Sequence, residues 1–137
     1  MKVVLDANVF ISFLLTRSPT ISTIVQSWKN NKFTLLVSDE ILLEYKEILI
    51  KTVGKGLVLA SQADFLFEEI SKESLNIQVI SEIDASPDKK DNRYLACAKD
   101  GKAAYLVTGD KKHLLKLKSF GKTKIVLPSE FVKILGK

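Results

Sequence analysis

Strand and helix signals alternate along this chain from end to end, with no linker long enough to divide it. Periodicity and turn residues predict strand 2–6, helix 8–15, helix 20–31, strand 34–37 and helix 39–51, then a break at Gly54-Lys55-Gly56. Helix 59–74, strand 77–80, a polar loop 81–88, helix 90–100, strand 103–107, helix 111–118, strand 123–127 and helix 129–135 complete the order. Parallel strands need helical crossovers, so this alternation predicts a doubly wound α/β fold. At 137 residues, 46% of them hydrophobic, the chain has the length of one domain, 1–137, and enough apolar residues for a continuous core.

In a parallel sheet the carboxyl ends of the strands share one edge, where ligand crevices form. Three aspartates fall where strands hand over to loops or helices. Asp6 follows Lys2-Val3-Val4-Leu5, Asp91 opens Asp91-Asn92-Arg93-Tyr94-Leu95, and Asp110 closes Tyr105-Leu106-Val107-Thr108-Gly109-Asp110. Glu44 sits in the middle of a predicted helix. Carboxylates that converge repel one another unless a cation neutralises them, so the pattern points to a divalent metal and to chemistry on an anion.

Periodicity sharpens two of these positions. In helix 39–51, Ile41, Tyr45, Ile48 and Leu49 form the stripe that faces the sheet, and Glu44 lies on its border. The plain alternative for Glu44 is a surface ion pair with Lys46 or Lys51. Asp91, Leu95 and Ala98 follow i, i+4, i+7, with Tyr94 alongside, so Asp91 points along a buried stripe. Its alternative is stabilisation of the helix N-terminus, with Asp88 as the cap, and Asp6 and Asp110 have a capping alternative too. A cap position explains Asp88 fully, which makes it only a possible additional acid. Asn8 and Thr108 stand beside Asp6 and Asp110 in sequence as short polar groups able to orient a carboxylate or a bound water.

The net charge of +5 is carried mostly by lysines crowding the second half of the chain. A basic surface around an acidic centre is what a metal-dependent phosphodiesterase needs, and Lys90, Arg93, Lys111 and Lys112 are the candidate phosphate contacts. A merely solvated exterior is the plainer reading of the lysines taken alone. The single cysteine excludes an internal disulfide and suits a reducing cytosol, no stretch is apolar enough to span a membrane, and there is no signal peptide pattern, so a cytoplasmic protein is expected. His113 reads as a surface residue, Cys97 as a buried inert thiol, and Trp28, Phe33 and Phe65-Leu66-Phe67 as core or subunit interface.

With these residues in place, the chain resembles the PIN domain nucleases over essentially its whole length. The resemblance is carried by Val3-Val4-Leu5-Asp6-Ala7-Asn8, Ser38-Asp39-Glu40-Ile41-Leu42-Leu43-Glu44-Tyr45, Asp88-Lys89-Lys90-Asp91-Asn92-Arg93-Tyr94-Leu95-Ala96-Cys97-Ala98 and Leu106-Val107-Thr108-Gly109-Asp110. Within the family it is most similar to small stand-alone proteins of the VapC type, regarded as toxins of toxin–antitoxin pairs. The resemblance implies a three-layer α/β fold with a five-stranded parallel sheet flanked by helices. It also implies a site in which Asp6, Glu44, Asp91 and Asp110 bind Mg²⁺ or Mn²⁺, a cognate antitoxin and a homodimer.

The expected activity is metal-assisted hydrolysis of single-stranded RNA. Asp6, Asp91 and Asp110 would hold one ion and Glu44 would help with a second recruited with substrate, with in-line attack leaving a 5′-phosphate and a 3′-hydroxyl. The alternatives are a non-catalytic RNA- or protein-binding module on the same scaffold and a housekeeping RNA-processing nuclease. A receiver-like signalling domain is disfavoured, because adjacent acids after the first strand and an aspartate after the third are missing.

Overall fold

The computed structural model describes residues 1–109 and 112–137. Strand β1 (Lys2–Leu5) leads into helix α1 (Ala7–Thr16) and helix α2 (Pro19–Lys29), and β2 (Thr34–Val37) leads into α3 (Asp39–Gly54) and α4 (Ala60–Lys72). Then come β3 (Ser74–Asn76), α5 (Lys89–Asp100), β4 (Tyr105–Val107), α6 (Leu114–Leu117), β5 (Ser119–Phe120), β6 (Thr123–Val126) and α7 (Pro128–Ile134). The strands form one sheet in the order β3-β2-β1-β4-β6-β5. All neighbours are parallel except β5, which runs antiparallel to β6.

Each central strand is a short, continuous apolar run. Val3, Val4 and Leu5, Leu35, Leu36 and Val37, and Leu106 and Val107 have no exposed surface, as strands covered on both faces must. Helix starts are set locally. Ser38 caps α3, its Oγ accepting from the Ile41 N–H at 3.2 Å, with Asp39 and Glu40 in the first turn, while Pro19 and Pro128 open α2 and α7. Helix α5 lies on β1, β2 and β4, α3 packs against α1, α4 and α5, and α2 packs against α1 and α7. Edge-to-face pairs Phe10–Trp28 and Phe10–Tyr45 join α1, α2 and α3.

The five parallel strands expected from the sequence are present, and the sheet has a sixth. The two-residue β5 is too short for any periodicity to show. It forms because Gly121, at φ 59°, and Lys122 make a two-residue loop that reverses the chain between Phe120 and Thr123. The third strand lies at 74–76 rather than 77–80. Its partner β2 ends at Val37, the last pairing is the Ile77 N–H to the Val37 carbonyl at 2.7 Å, and beyond it Ser38 has already turned into a helix cap. The helix expected over 111–118 is a single described turn, Leu114–Leu117, ended by Lys118 at φ 60°. Among the described residues no helix is long and apolar enough to cross a membrane.

Strand order runs outward from β1 through β2 to β3, then jumps to the other side of β1 for β4 and β6. The switch point therefore lies between β1 and β4, and Asp6 and Thr108 are the residues that leave the ends of those two strands.

The seating of α5 on the sheet depends on Gly101. A Cβ there would meet Leu36 Cδ1 at 2.6 Å and the Cys97 carbonyl oxygen at 2.9 Å, and the carbonyl is helix backbone that cannot move aside. Gly101→Ala should lower stability in urea by about 1–3 kcal/mol. Gly54→Ala, with nothing within 4 Å, should leave it unchanged or raised by about 0.5–1 kcal/mol.

Candidate active site

Asp6 stands at the junction of β1 and α1. Its N–H continues the ladder to the Val107 carbonyl at 3.0 Å, and its own φ of −62° and ψ of 145° place it as the cap of α1. One carboxylate oxygen, Oδ1, accepts from the Asn8 N–H at 3.2 Å, and the other, Oδ2, accepts from the Thr108 hydroxyl at 2.7 Å. Thr108 is fully buried and Asp6 nearly so. Capping thus occupies one oxygen of Asp6, and the second is fixed by a residue 102 positions away. Asn8 reaches Asp6 through its backbone amide, while the residue itself is exposed.

Glu44 lies in α3, where it is 5% exposed, and among the described residues its Oε2 has no hydrogen-bond partner. No ion pair with Lys46 or Lys51 forms among the described residues. Burial raises its pKa above the ordinary carboxylate value, the Tyr94 hydroxyl bond lowers it, the negative charge of Asp6 raises it, and Arg93 and Lys90 lower it. The two carboxylates therefore repel each other inside the protein, with burial the larger penalty on ionising Glu44.

Asp91 is the third residue of α5. Asp88 caps that helix, its Oδ1 accepting from the Lys90 N–H at 2.9 Å, so Asp91 is not needed for capping. Asp91 is buried and its Oδ2 accepts from the Ser86 hydroxyl at 3.2 Å. Asn92 pins the preceding loop: its Oδ1 accepts from the Ala85 and Ser86 N–H groups and its Nδ2 donates to the Ser86 carbonyl. One turn later, the buried Tyr94 hydroxyl accepts from the Ala7 N–H at 3.2 Å and interacts with Glu44. Tyr94 thus ties the helix of Asp91 to the turn of Asp6 and to the side chain of Glu44. Tyr45, next to Glu44, donates its hydroxyl to the Leu5 carbonyl and ties α3 to the end of β1.

Asp6 and Glu44 are brought within electrostatic reach, and Tyr94, one turn after Asp91 in α5, touches both the Asp6 turn and Glu44. Asp110 and Lys111 lie outside the described residues. Among the described residues no three potential ligands close a metal site. The described pair nevertheless fits a cation: a buried carboxylate oxygen with no donor among the described residues, within electrostatic reach of a second carboxylate, is an arrangement that a bound dication would relieve. Arg93 forms an ion pair with Glu40, Nε to Oε2 3.5 Å, and Lys112 is exposed. Cys97 is fully buried and its thiol is pushed up to about 12, which keeps it protonated and unreactive.

Sequence reading missed the supporting residues Tyr94, Tyr45, Ser86 and Asn92. Tyr94 and Tyr45 lie on apolar stripes and register as core, because periodicity reports the ring and says nothing of the hydroxyl. Ser86-Pro87-Asp88 ahead of a helix is a readable turn signal, but it does not say that the serine reaches Asp91.

A family model described as PIN domain matches residues 2–112. No curated protein matches the chain. Among solved structures, the chain is similar to one in the crystal structure of VapBC2 from Rickettsia felis bound to a DNA fragment from its promoter. The TM-score is 0.63 at 14% identity, over 93% of this chain and 98% of that one. At that identity the likeness is one of fold.

The raised pKa of Glu44 fixes a sign. Its folded form holds the proton more tightly than the unfolded chain, so the contribution of Glu44 to stability is full below the ordinary value of 4.5 and is lost as pH rises through the raised one. Glu44→Gln should therefore be more stable than the parent near pH 7 in chelator, with the difference shrinking toward pH 4. Thermal midpoints across that pH range check this, and a parent protein more stable at pH 7 than the variant would refute the burial penalty.

Proposed function

The chain belongs to the PIN domain family, and from that premise we propose that it is a metal-dependent endoribonuclease acting on single-stranded RNA, the toxin of a toxin–antitoxin pair. The observation that carries the reading is the Asp6 carboxylate, held by the Asn8 amide and the Thr108 hydroxyl at the sheet's switch point, within electrostatic reach of a buried Glu44 whose Oε2 has no donor among the described residues. A binding module would have no reason to retain that repulsion.

Asp6, Glu44 and Asp91, with Asp110, would hold Mg²⁺ or Mn²⁺. Bound there, the metal supplies Lewis acidity and positive charge for hydrolysis of a phosphodiester. The protein's part is positioning. Thr108 and the Asn8 amide fix both oxygens of Asp6, Ser86 holds one oxygen of Asp91, and Tyr94 keeps α5 against the Asp6 turn. Lys90 and Arg93, both near enough to lower the pKa of Glu44, offer positive charge to a phosphate backbone, and Lys111 and Lys112 follow the fourth acid in sequence. Asp6, Glu44 and Asp91 are buried while Lys90 and Lys112 are exposed, a division that suits chemistry at the acids and attraction at the surface.

A reducing cytosol suits the lone buried Cys97. Leu43, Ile50, Leu57, Leu59 and Phe65 leave apolar surface exposed on α3, α4 and the turn between them. That surface supports protein partners, and we propose a cognate antitoxin and a second copy of the chain. The antitoxin reading is also supported by the toxin–antitoxin complex in which the structural neighbour was solved.

Purified protein should cleave labelled single-stranded RNA with Mn²⁺ or Mg²⁺ and not in chelator. Asp6→Asn and Asp91→Asn should lose cleavage while remaining folded, and Thr108→Val should lose about 10–100-fold by loosening Asp6. Cleavage retained in both aspartate variants would refute the assignment.

A further inference from the structure

We propose that the groove between the end of α5 and the β5–β6 hairpin is a second RNA contact, holding a single-stranded segment of the substrate away from the acidic residues. It rests on the reading of RNA as the substrate. The groove encloses about 460 Å³ and is lined by Lys99, Lys102 and Lys122 around Phe120. The three lysines are exposed and Phe120 is half-buried.

Among the described residues none of these lysines takes part in an ion pair. Asp100, their acidic neighbour in sequence, directs its carboxylate to the Ile80 and Ser81 N–H groups and the Ser81 hydroxyl. Lys99 is near enough to Asp100 to lower its pKa, but three lysines line one groove without an ion pair among the described residues, and a polyanion is the complementary ligand. A lysine in the last turn of α5 is what the helix dipole favours, which accounts for Lys99 alone. Lys102 instead occupies a left-handed turn position, φ 56°, where glycine or asparagine would be less strained. Lys122 sits on the hairpin loop, and both Phe120 and Lys122 lie beyond residues 2–112, the stretch that the family model matches.

The aromatic ring decides between single-stranded and duplex ligands. An unstacked base can lie on Phe120 while its phosphates meet the lysines, whereas the bases of a duplex are already stacked. Position along α5 suits a continuous strand. Eight residues separate Asp91 from Lys99, about 12 Å at the helical rise, so RNA engaged at the acids can follow the helix to the groove.

The test is fluorescence anisotropy with a labelled single-stranded RNA of mixed sequence, in chelator so that no cleavage occurs, across a salt series. The triple variant Lys99→Gln/Lys102→Gln/Lys122→Gln should flatten the log–log salt dependence by about 2, since each phosphate contact on a single strand contributes roughly 0.7. Phe120→Leu, which keeps the apolar packing, should weaken binding several-fold at unchanged slope. Lys46→Gln/Lys51→Gln/Lys55→Gln removes the same charge from α3 and its cap and should change the slope much less. Equal flattening by both triples, no flattening by the groove triple, or duplex DNA competing as well as single-stranded RNA would overturn the proposal. Because binding is read without cleavage, the two readings separate. Flattening in a protein that never cleaves supports the groove and removes the nuclease, while cleavage with an unaltered slope does the reverse.

Discussion

The functional edge of this protein is organised around the Asp6 carboxylate, whose charge adds to burial in disfavouring ionisation of Glu44. Asp6 is fixed by two short donors and by the β1–β4 ladder, and Glu44 is fixed by an α3 whose neighbouring Tyr45 is bonded to the end of β1. Relaxing the repulsion would require breaking the Thr108 bond or moving a helix off the core. Both are costly in a close-packed interior, so the two carboxylates keep their places and the pKa of Glu44 stays above its ordinary value.

The sheet topology is what makes this possible. Reversal of strand order between β1 and β4 opens the edge at which Asp6 and Thr108 meet, although one follows the first strand and the other the fourth. Helix α5, which carries Asp91 in its first turn, is tied to that edge by Tyr94, whose hydroxyl accepts from the amide that follows Asp6. Local capping chemistry and long-range site geometry share the same atoms. Asp6 caps α1 with one oxygen and meets Thr108 with the other, so a capping explanation and a functional one do not compete.

The alternating α/β order, the parallel sheet and the burial of Glu44 and Asp91 were legible because each rests on a period that packing enforces. Glu44 reads as a border residue from Ile41, Tyr45 and Ile48, and Asp91 reads as buried from Leu95 and Ala98. The tyrosine and serine tethers were not legible, since a hydroxyl's partner lies elsewhere in the chain and leaves no trace in local spacing. The two-residue β5 and the shift of β3 escaped for a related reason. Strand limits are set by where the neighbouring strand ends, and Val37 ends β2 because Ser38 must cap α3.

The most direct measurement is the thermal midpoint of metal-free protein as Mn²⁺ is added, compared with Asp6→Asn and Glu44→Gln. A cation held by the two carboxylates should raise the midpoint of the parent progressively with concentration, and raise it much less in either variant. A parent midpoint unmoved by Mn²⁺, or moved equally in all three proteins, would mean that the buried pair is not the seat of a metal.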